Sequence, residues 1–596
     1  MHHLVETHLV ETHLVETHLA GRHLAGALPA APDPLGHLLN GHLLNGGLAG
    51  RPVLAAAVLV VLTGAIAVVA FLRGWWAPAS HSGFAPVGRA AEVISGRAAR
   101  AAGRQSRPGL SRRQRGQAPQ TAFGLTVGSS RRPRGLTVVL PWDRSMRVVG
   151  PPGSGKTLAY FAPLVLAAPG PALVSSTKPD IVELTWTARN QLGPCRVVDP
   201  LGVTAGLPAL RWSPLAGCGD PTRAETLARA FIAGTASGTG ADSGASAFYR
   251  EQAAAVLACL LHAAALNGAD LATWLRWCGT PTDPQPLHIL TTHPDTGAGM
   301  LDKLQSATTG DARTVGNIRA TVATALAWST VPAARATLAA TPGEVDRIED
   351  LLDNGGTIYL LGKDDPTSPV VPLLTAIAED VLDRAERHAL TRPAGRLDPP
   401  LVAALDEAPL TAPIPSLPQR VGDGRGRGLS VHYGMQGWPQ ARARWGEQGS
   451  SVLASVTTGL LAFGGSNDPQ YNSDVERLCG TRRVQRKDSA GIRPGETEPV
   501  LAAADFRQLR TRRALLLIDR LGPVVVKTRP VFTDRRRWKT LQTGQDQVRA
   551  TAAAARAALA SCPPVTAMLA PAGPTGAASP GEPTGSLPAA AARVTG

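Results

Sequence analysis

Gly150-Pro-Pro-Gly-Ser-Gly-Lys-Thr157 is the stretch of this chain that decides its fold. It matches the pattern G-x-x-x-x-G-K-[ST], follows the short apolar run 146–149 and precedes a helix-compatible segment, 158–161. In such a strand–loop–helix setting, backbone N–H groups surround phosphate groups and the helix N-terminus adds a favourable dipole. A glycine-rich turn without a ligand is the alternative, but the strand, the lysine and the threonine are all present. The segment therefore predicts a nucleoside triphosphate site.

Each residue type in this loop has a chemical role. The glycines allow the backbone to approach phosphate oxygens without a side-chain clash. Lys156 is expected to reach the β- and γ-phosphates of ATP, and the Thr157 hydroxyl is expected to ligate Mg²⁺. The predicted cofactor-binding residues of the loop are Gly150, Gly153, Ser154, Gly155, Lys156 and Thr157.

A second part of the predicted site lies far downstream, where the apolar run 399–405 ends in Asp406 and Glu407. Buried strands of parallel sheets are apolar throughout and carry ligand-binding residues at their carboxyl ends. Asp406 is expected to hold Mg²⁺ through a water, together with Thr157, and Glu407 to act as general base. An ordinary strand end with two acids is the alternative. A base beside the metal site favours hydrolysis over a passive nucleotide switch.

Composition limits the remaining possibilities. A chain of 596 residues is too long to fold around a single hydrophobic core, so about two to four domains are expected. Lys and Arg exceed Asp and Glu by 60 to 45, and residues 73–134 hold twelve Arg against one acid, Glu92. This excess fits a membrane flank, a solvated linker or an anionic partner such as DNA. The six cysteines form no C-x-x-C pair and are expected to be reduced core residues.

The N-terminal region contains a predicted transmembrane helix at 51–73. Its residues 52–72 carry no charge and would span about 32 Å as a helix, against a hydrocarbon core of about 30 Å. Trp75 and Trp76 follow, and basic residues accumulate after the span, which predicts a cytoplasmic C-terminal side. A cleaved signal peptide is the competing interpretation.

The segment before the span, 1–50, consists of histidine-containing pentapeptides such as His3-Leu-Val-Glu-Thr7, present three times in tandem. Histidines every five residues do not share a helix face, so they predict no preformed metal site. The segment is interpreted as low-complexity sequence without an assigned function.

The remaining chain is predicted to be an α/β nucleotide-binding domain interrupted by helices. Strand-like runs alternate with helix-length segments and predict a parallel sheet. Alanine-rich segments at 247–267 and 315–340 predict helices. The predicted segments are a basic linker at 74–130 with some helix near 86–103, an α/β ATPase domain at 131–211 and 350–545, an all-α insertion at 212–349, and a disordered Ala/Pro-rich tail at 546–596.

Several further motifs carry a resemblance to a known family. Ser175-Ser-Thr-Lys-Pro-Asp180 follows the second core strand, and Arg189-Asn-Gln-Leu-Gly193 leads to Val197-Val-Asp-Pro200. Downstream, Gly424-Arg-Gly-Arg-Gly428 precedes a strand that ends at Gln436. This order resembles the type IV coupling proteins, the TraG/TraD-type ATPases of conjugation and type IV secretion, particularly actinobacterial-like forms. The resemblance covers about 145–530.

The resemblance implies further properties. The fold would be a RecA-like P-loop NTPase domain with an inserted all-α domain and an N-terminal transmembrane helix. Arg425 would reach into a neighbouring subunit's site, with Arg427 as the competing candidate, and Gln436 would sense the γ-phosphate. Lys178 and Asp180 would support the nucleotide or subunit interface. The implied catalytic residues are therefore Glu407, Arg425 and Gln436.

The implied function is ATP-driven DNA translocation through a conjugation channel. The implied partners are single-stranded DNA, a relaxase or relaxosome, components of the type IV secretion channel, the cell membrane and five further copies of the chain in a homo-hexamer. The ATPase domain would be cytoplasmic. An FtsK/SpoIIIE-type double-strand translocase and a non-hydrolysing membrane adaptor remain the alternatives. The family commonly has two membrane helices and an acidic tail, whereas this chain shows one span and a neutral tail.

Overall fold

The computed structural model describes residues 58–68, 83–235, 244–280, 283–338, 342–484, 487–488, 491–492 and 496–561. The chain divides into two compact units, Met1–Trp76 and Ala77–Gly596.

In the first unit, the described residues form one helix, 58–68, whose side chains are exposed. The predicted membrane span at 51–73 continues beyond this helix on both sides, outside the described residues. Within the described part of the chain, no helix has both the length and the apolar character needed to cross a membrane. The pentapeptide segment 1–50 lies outside the described residues.

The second unit is built on a mixed sheet of eleven strands, in the order β2-β1-β15-β14-β9-β3-β8-β7-β4-β6-β5. Two short ribbons, β10–β13 and β11–β12, complete the strands of the described chain. In chain order the strands are β1 Gly124–Arg132, β2 Arg134–Pro141, β3 Met146–Val149, β4 Ala172–Ser176, β5 Cys195–Val198, β6 Thr357–Leu361, β7 Leu401–Leu405, β8 Leu429–Met435, β9 Gly459–Phe463, β10 Thr481–Val484, β11 Lys487–Asp488, β12 Gly491–Ile492, β13 Glu496–Pro499, β14 Arg513–Ile518 and β15 Val524–Thr528.

The part of the sheet from β9 to β5 is parallel. The other four strands of this sheet pair antiparallel with their neighbours. The expectation of a parallel sheet is therefore correct for its centre and wrong for one flank. A run such as 524–527 has the same apolar pattern in either orientation, because strand direction depends on partners that sequence alone does not reveal.

Helices cover both faces of the sheet. In chain order the helices are α1 Val87–Ile94, α2 Gly96–Ser106, α3 Arg112–Gln117, α4 Ala162–Ala167, α5 Asp180–Asn190, α6 Pro221–Ala233, α7 Gly244–Leu266, α8 Leu271–Gly279, α9 Gln285–Thr292, α10 Met300–Thr308, α11 Ala312–Ala325, α12 Pro332–Ala336, α13 Ile348–Asp353, α14 Val371–Leu390, α15 Ala408–Thr411, α16 Leu417–Arg427, α17 Trp438–Val456, α18 Pro469–Cys479, α19 Ala503–Arg507 and α20 Arg535–Ser561. Alternate residues of each core strand contribute to two separate buried clusters, one on each face.

The segment between β5 and β6 consists of helices α6 to α13 in its described residues. Phe231 stacks on Trp328 and lies against Trp274 within this segment. Its first helix also packs on α14 of the sheet layer. The long helix expected at 315–340 ends at Ala325, and a second short helix starts at Pro332, whose ring is compatible only with a helix N-terminus there.

Two predicted boundaries are wrong. The segment 74–130, expected to be a linker, forms α1, α2, α3 and most of β1 in its described residues. Ala90, Ile94 and Ala99 are fully buried beneath β1 and β2. Because many arginines surround these residues in the sequence, their small apolar face was not recognised there. The tail predicted to begin at 546 instead continues α20 to Ser561, because Val548 and Ala552 are buried on the sheet layer.

The cysteines of the described residues fit the prediction. Five are free thiols, and four of these are buried. Burial raises the pKa of Cys195 to about 11, which keeps this thiol protonated and unreactive near neutral pH.

Candidate functional site

The phosphate loop begins where β3 ends, and β3 lies between β8 and β9 in the middle of the eleven-stranded sheet. Gly150 N donates a hydrogen bond to Met435 O at 3.3 Å, which joins the loop to the carboxyl end of β8. Gly153 and Gly155 have φ of +77° and +86°, and a Cβ on either would point into open space. This left-handed backbone is where glycine is needed, and it leaves an open concave surface for a ligand.

Lys156 is 5% exposed and lies over the loop. Its Nζ donates to Gly150 O at 2.5 Å and pairs with Glu407 Oε1 at 3.2 Å. The buried ammonium is thus held by a backbone oxygen and a carboxylate at the position predicted for phosphate oxygens.

Thr157 and Asp406 meet at the same edge of the sheet. Thr157 Oγ1 donates to Asp406 Oδ2 at 2.5 Å, while Asp406 N donates to Ser175 O of β4 at 2.9 Å. Burial raises the pKa of Asp406 to about 6, and the hydrogen bond from Thr157 opposes that shift. The structure therefore brings the two predicted Mg²⁺ ligands into direct contact.

Glu407 turns back towards the loop through an unusual backbone conformation. Its φ is +53°, in the left-handed region that non-glycine residues adopt at a cost of about 1–3 kcal/mol. Leu410 N and Thr411 N donate to Glu407 O at 2.9 and 3.0 Å and hold this turn. The strained turn places the carboxylate beside Lys156 and leaves Glu407 buried, with 9% of its surface exposed.

The residues at this edge fit a magnesium–triphosphate group. Among the buried polar atoms without a hydrogen-bond partner in the described residues are Ser154 Oγ, Asp406 Oδ1 and Glu407 Oε2. Unpartnered buried polar atoms are costly, and a phosphate, a metal-bound water and an attacking water would satisfy them. The residues that would hold the group are the loop, Lys156, Thr157 and Asp406.

Gln436 lies at the same edge, one residue beyond the end of β8. Its backbone N donates to Gln440 Oε1 at 2.8 Å. Since Gly150 N bonds to the preceding residue, Met435, Gln436 adjoins the first residue of the phosphate loop.

Arg425 is not at this edge. It lies in α16, just before β8, and its Nη2 donates to Asp143 Oδ2 at 2.9 Å, just before β3. Both residues precede their strands, so they lie at the amino edge of the parallel strands. Four residues of β3 separate that edge from the loop by about 13 Å. Arg425 is half-exposed, and Arg427 is exposed on the same helix.

Lys178 and Asp180 follow β4 at the carboxyl edge. Both are exposed; Lys178 N donates to Ser176 Oγ at 3.2 Å, and Asp180 begins α5. Among the described residues, no hydrogen bond or ion pair joins either side chain to the phosphate loop.

Arg189, which begins the motif Arg189–Gly193, is fully buried and connects elements of the fold. Its guanidinium donates to Thr357 Oγ1 at 2.8 Å, Ala168 O at 2.8 Å and Gly170 O at 2.6 Å. These bonds tie α5 to the loops that precede β4 and to β6.

Behind the loop is a buried chain of polar groups that the sequence did not indicate. His432 Nδ1 lies 2.8 Å from Tyr160 Oη, and its Nε2 lies 2.9 Å from Ser430 Oγ. Burial lowers the pKa of His432 to about 3, so the ring is neutral. Ser430 and His432 are polar residues two positions apart on β8. A strand with one face in solvent has the same spacing of polar residues, so the sequence did not indicate that these two are buried. No group of three or more His, Cys, Asp or Glu suited to a metal occurs among the described residues.

Comparison with known proteins relates the chain to a family model and to a known fold. Residues 400–522 match a family model described as "TraM recognition site of TraD and TraG". The matched region contains Asp406, Glu407, Arg425 and Gln436, but not the phosphate loop. No curated protein matches the chain in sequence.

Several solved structures share the fold. The unbound bacterial conjugative coupling protein TrwBdeltaN70 matches with a TM-score of 0.52 and 17% identity, over 66% of this chain and 86% of that chain. A TrwB complex with ADP and Mg²⁺ matches with a TM-score of 0.51 and 17% identity, over 66% and 87%. A complex with a non-hydrolysable ATP analogue matches with 0.51 and 16%, over 66% and 87%. The family-model match and the shared fold confirm the resemblance to type IV coupling proteins.

Proposed function

We propose that this chain is a membrane-anchored ATPase that couples ATP hydrolysis to moving DNA through a type IV secretion or conjugation system. The observation that carries the proposal is the convergence of Lys156, Thr157, Asp406 and Glu407 at one edge of the sheet, in a chain that resembles the coupling proteins. The TrwB structures with ADP and Mg²⁺ and with nucleotide analogues support the choice of ligand.

ATP and Mg²⁺ are the proposed cofactors. Backbone N–H groups of the loop and Lys156 would hold the phosphates, while Thr157 and Asp406 would hold the metal, Asp406 through a water. When bound, Mg²⁺ would offset negative charge on the phosphates. Asp406 must be ionised for this role, and the Thr157 hydroxyl that now bonds to it is the group that would turn towards the metal.

Glu407 is the proposed general base. Its Oε2 has no hydrogen-bond partner among the described residues, whereas Oε1 is paired with Lys156. When Lys156 turns to phosphate oxygens, it releases Glu407, which then accepts the proton of the attacking water at its carboxylate. The unpartnered Oε2 is the oxygen proposed to take this proton.

Arg425 is proposed to act on the site of a neighbouring subunit, and Gln436 on its own site. Arg425 lies at the sheet edge opposite its own loop, and its side chain is half-exposed, which supports a role in trans. Arg427 stays the competing candidate. A ring of about six subunits follows from this arrangement and from the resemblance. Gln436 is proposed to sense the γ-phosphate, and its position beside Gly150 supports this role.

The remaining roles follow from the resemblance and from charge. The segment 51–73 is the proposed anchor, with the ATPase domain cytoplasmic, and the helical segment 212–349 the proposed insertion domain. The match described as a TraM recognition site supports a relaxosome-type protein partner. Relaxase-linked single-stranded DNA is the proposed substrate, contacted through its phosphates by Arg and Lys, and channel components are the proposed docking partners.

A DNA-stimulated ATPase assay tests the proposal. The full-length protein in detergent micelles is assayed without DNA, with a 60-nucleotide oligothymidylate and with duplex of equal length. Stimulation mainly by the single strand, abolished by Lys156→Ala, is expected. Slow hydrolysis that is indifferent to DNA would favour the non-hydrolysing adaptor. Preferential stimulation by duplex would favour a double-strand translocase of the FtsK/SpoIIIE type.

A further inference from the structure

A groove crosses one face of the sheet between α17 and α18, and its floor is Arg147 of β3. Two clefts of about 470 and 450 Å³ meet there and share Arg147, Ala454 and Leu478 in their linings. We call this feature the Arg147 groove. Arg147 points to the same face as Val149, whereas the phosphate loop begins at the end of the strand. The groove is therefore distinct from the phosphate loop.

Arg147 has no ionic partner in the described chain. Its guanidinium carbon lies 4.3 Å from the centre of the Trp438 ring, and its Nε is buried without a hydrogen-bond partner. Burial lowers the pKa of Arg147, and the neighbouring Tyr433 and Tyr471 only partly oppose that shift. A desolvated guanidinium normally has a carboxylate or phosphate partner, because its five donors need acceptors.

Of the other charged residues that line the groove, only Arg520 has no ion-pair partner among the described residues. Arg442 Nε lies 3.5 Å from Glu447 Oε2, and Arg477 Nη2 lies 2.9 Å from Asp474 Oδ1. The groove is also lined by Glu447, Asp474 and Asp519, and these carboxylates would repel a polyanion that extends beyond Arg147. A single negative charge at Arg147 avoids this repulsion.

The groove also has apolar surface. Leu478 is 56% exposed at the rim, although it is a large apolar side chain. It lies beside Ala454, and Trp438 lines the same cleft. An unpaired guanidinium beside exposed apolar surface is typical of sites that recognise a peptide by an anchor and a few polar contacts.

We propose that the Arg147 groove binds a peptide segment of a protein partner, through one carboxylate on Arg147 and flanking apolar side chains on Leu478 and Trp438. The carboxylate would form a bidentate, charge-assisted pair with the guanidinium. This binding site goes beyond the proposed motor function and does not depend on nucleotide hydrolysis. The surface lies on α17 and α18, the helices that follow β8 and β9, and the partner is a peptide that carries a carboxylate.

Peptide display on the full-length protein in detergent micelles tests the proposal. A random dodecapeptide library is selected on the parent protein, and enriched peptides are titrated by fluorescence anisotropy. We expect sequences with one Asp or Glu beside Leu, Ile or Phe. Replacing that acid by its amide, or changing Arg147→Gln, should weaken binding by about tenfold or more.

Arg512→Gln is the matched control. Arg512 also lies over an aromatic ring, 4.8 Å from the centre of Phe532, but outside the groove. Peptide affinity should be unchanged in this variant. Enriched peptides without an acid, or equal binding to Arg147→Gln, would overturn the proposal, as would a library that yields no binder.

Leu478→Glu keeps the test decisive if Arg147→Gln fails to fold. The side chain at 478 is mostly exposed, so the change adds a charge at the rim without opening the core. We expect loss of peptide binding with an unchanged thermal unfolding midpoint. If Leu478→Glu instead changes the oligomer mass in sedimentation, or if a 12-nucleotide oligothymidylate displaces the peptides, a second copy or a nucleic acid occupies the groove and the proposal is wrong.

Discussion

Lys156 Nζ lies 3.2 Å from Glu407 Oε1, so the side chain predicted to bind the phosphates is paired with the one predicted to activate water. Both are buried, and the left-handed turn at Glu407 is what brings them together. The pair neutralises two charges that would otherwise be buried alone. Phosphate oxygens would compete with Glu407 for the same ammonium.

Glu407→Gln should separate binding from turnover. The amide is nearly isosteric but cannot accept the proton of the water, so the hydrolysis rate should fall by about 10²–10⁴. ATP affinity should be unchanged or higher, because in this variant no carboxylate competes with the phosphates for Lys156. Single-turnover hydrolysis and equilibrium binding of a fluorescent ATP analogue measure the two effects. Hydrolysis at the parental rate would refute the assignment of Glu407 as the base. Lys156→Ala should instead weaken ATP binding. The control Glu92→Gln changes an exposed acid and should alter neither ATP binding nor the hydrolysis rate.

Arg425→Ala tests the arrangement of subunits. ATP affinity should be nearly unchanged, because this residue lies at the opposite sheet edge from its own loop. Turnover should fall by about 10³–10⁵ if the guanidinium stabilises transition-state charge in a neighbour. Mixing Arg425→Ala with Glu407→Gln should restore part of the activity, since an Arg425→Ala subunit keeps its base and can borrow the arginine of its partner.

The control for this experiment is Arg427→Ala, on the same helix. It should retain turnover if Arg425 is the residue that acts in trans. Absence of recovery in mixtures that demonstrably form mixed rings would contradict the assignment and make Arg427 the next candidate.

Arg223→Ala should destabilise the junction between the helical segment and the sheet layer. Arg223 of α6 pairs with Asp380 of α14, whose side chain is completely buried and also accepts from Trp212 Nε1 at 2.8 Å. Removing one partner leaves a buried carboxylate undercompensated, so the free energy of unfolding should fall by about 3 kcal/mol. Arg384, 3.2 Å from Asp380, limits the loss.

Urea unfolding followed by tryptophan fluorescence measures this difference. Arg229→Ala is the matched control, because Arg229 lies on the same helix in an exposed ion pair with Glu225. It should cost no more than about 0.5 kcal/mol. Equal effects of the two substitutions would show that the buried pair does not hold the junction.

His432 should make the free energy of unfolding depend on pH. Its pKa is lowered to about 3 in the folded protein, whereas an unfolded histidine titrates near 6.5. Between these values only the unfolded chain takes up the proton, so stability is complete above about pH 6.5 and falls as pH falls. From pH 6.5 to 5 the loss from this residue should be about 2 kcal/mol.

Urea midpoints at pH 7.5 and 5.0 for the parent and His432→Gln measure this contribution. The variant is expected to be less stable at pH 7.5, because it fills the space between Tyr160 and Ser430 less well, yet to lose less stability on acidification. An identical drop in both proteins would show that His432 is not the proton acceptor.

Much of the sheet was predictable from local pattern. β3 has the bounds of the apolar run 146–149, and β7 ends where the apolar run 399–405 ends, because a strand buried on both faces is apolar throughout. β1 was missed, since Gly124–Arg132 is rich in glycine, serine and arginine. Its place in the sheet comes from pairing with β15, almost 400 residues later in the chain, a partner that local composition cannot indicate.

The chemical identity of the candidate site could be predicted from the sequence, because the glycine spacing, Lys156, Thr157 and two acids after an apolar run are local signals of phosphate and metal binding. The arrangement of these residues in space could not be predicted in this way. Only folding places β3 and β7 in one sheet, with their carboxyl ends at the same edge, so that Thr157 meets Asp406 and Lys156 meets Glu407. The position of Arg425 at the other edge, and the unpaired charge of Arg147, likewise depend on contacts between distant segments, because a residue's partners are set by packing in three dimensions and not by its neighbours in the chain.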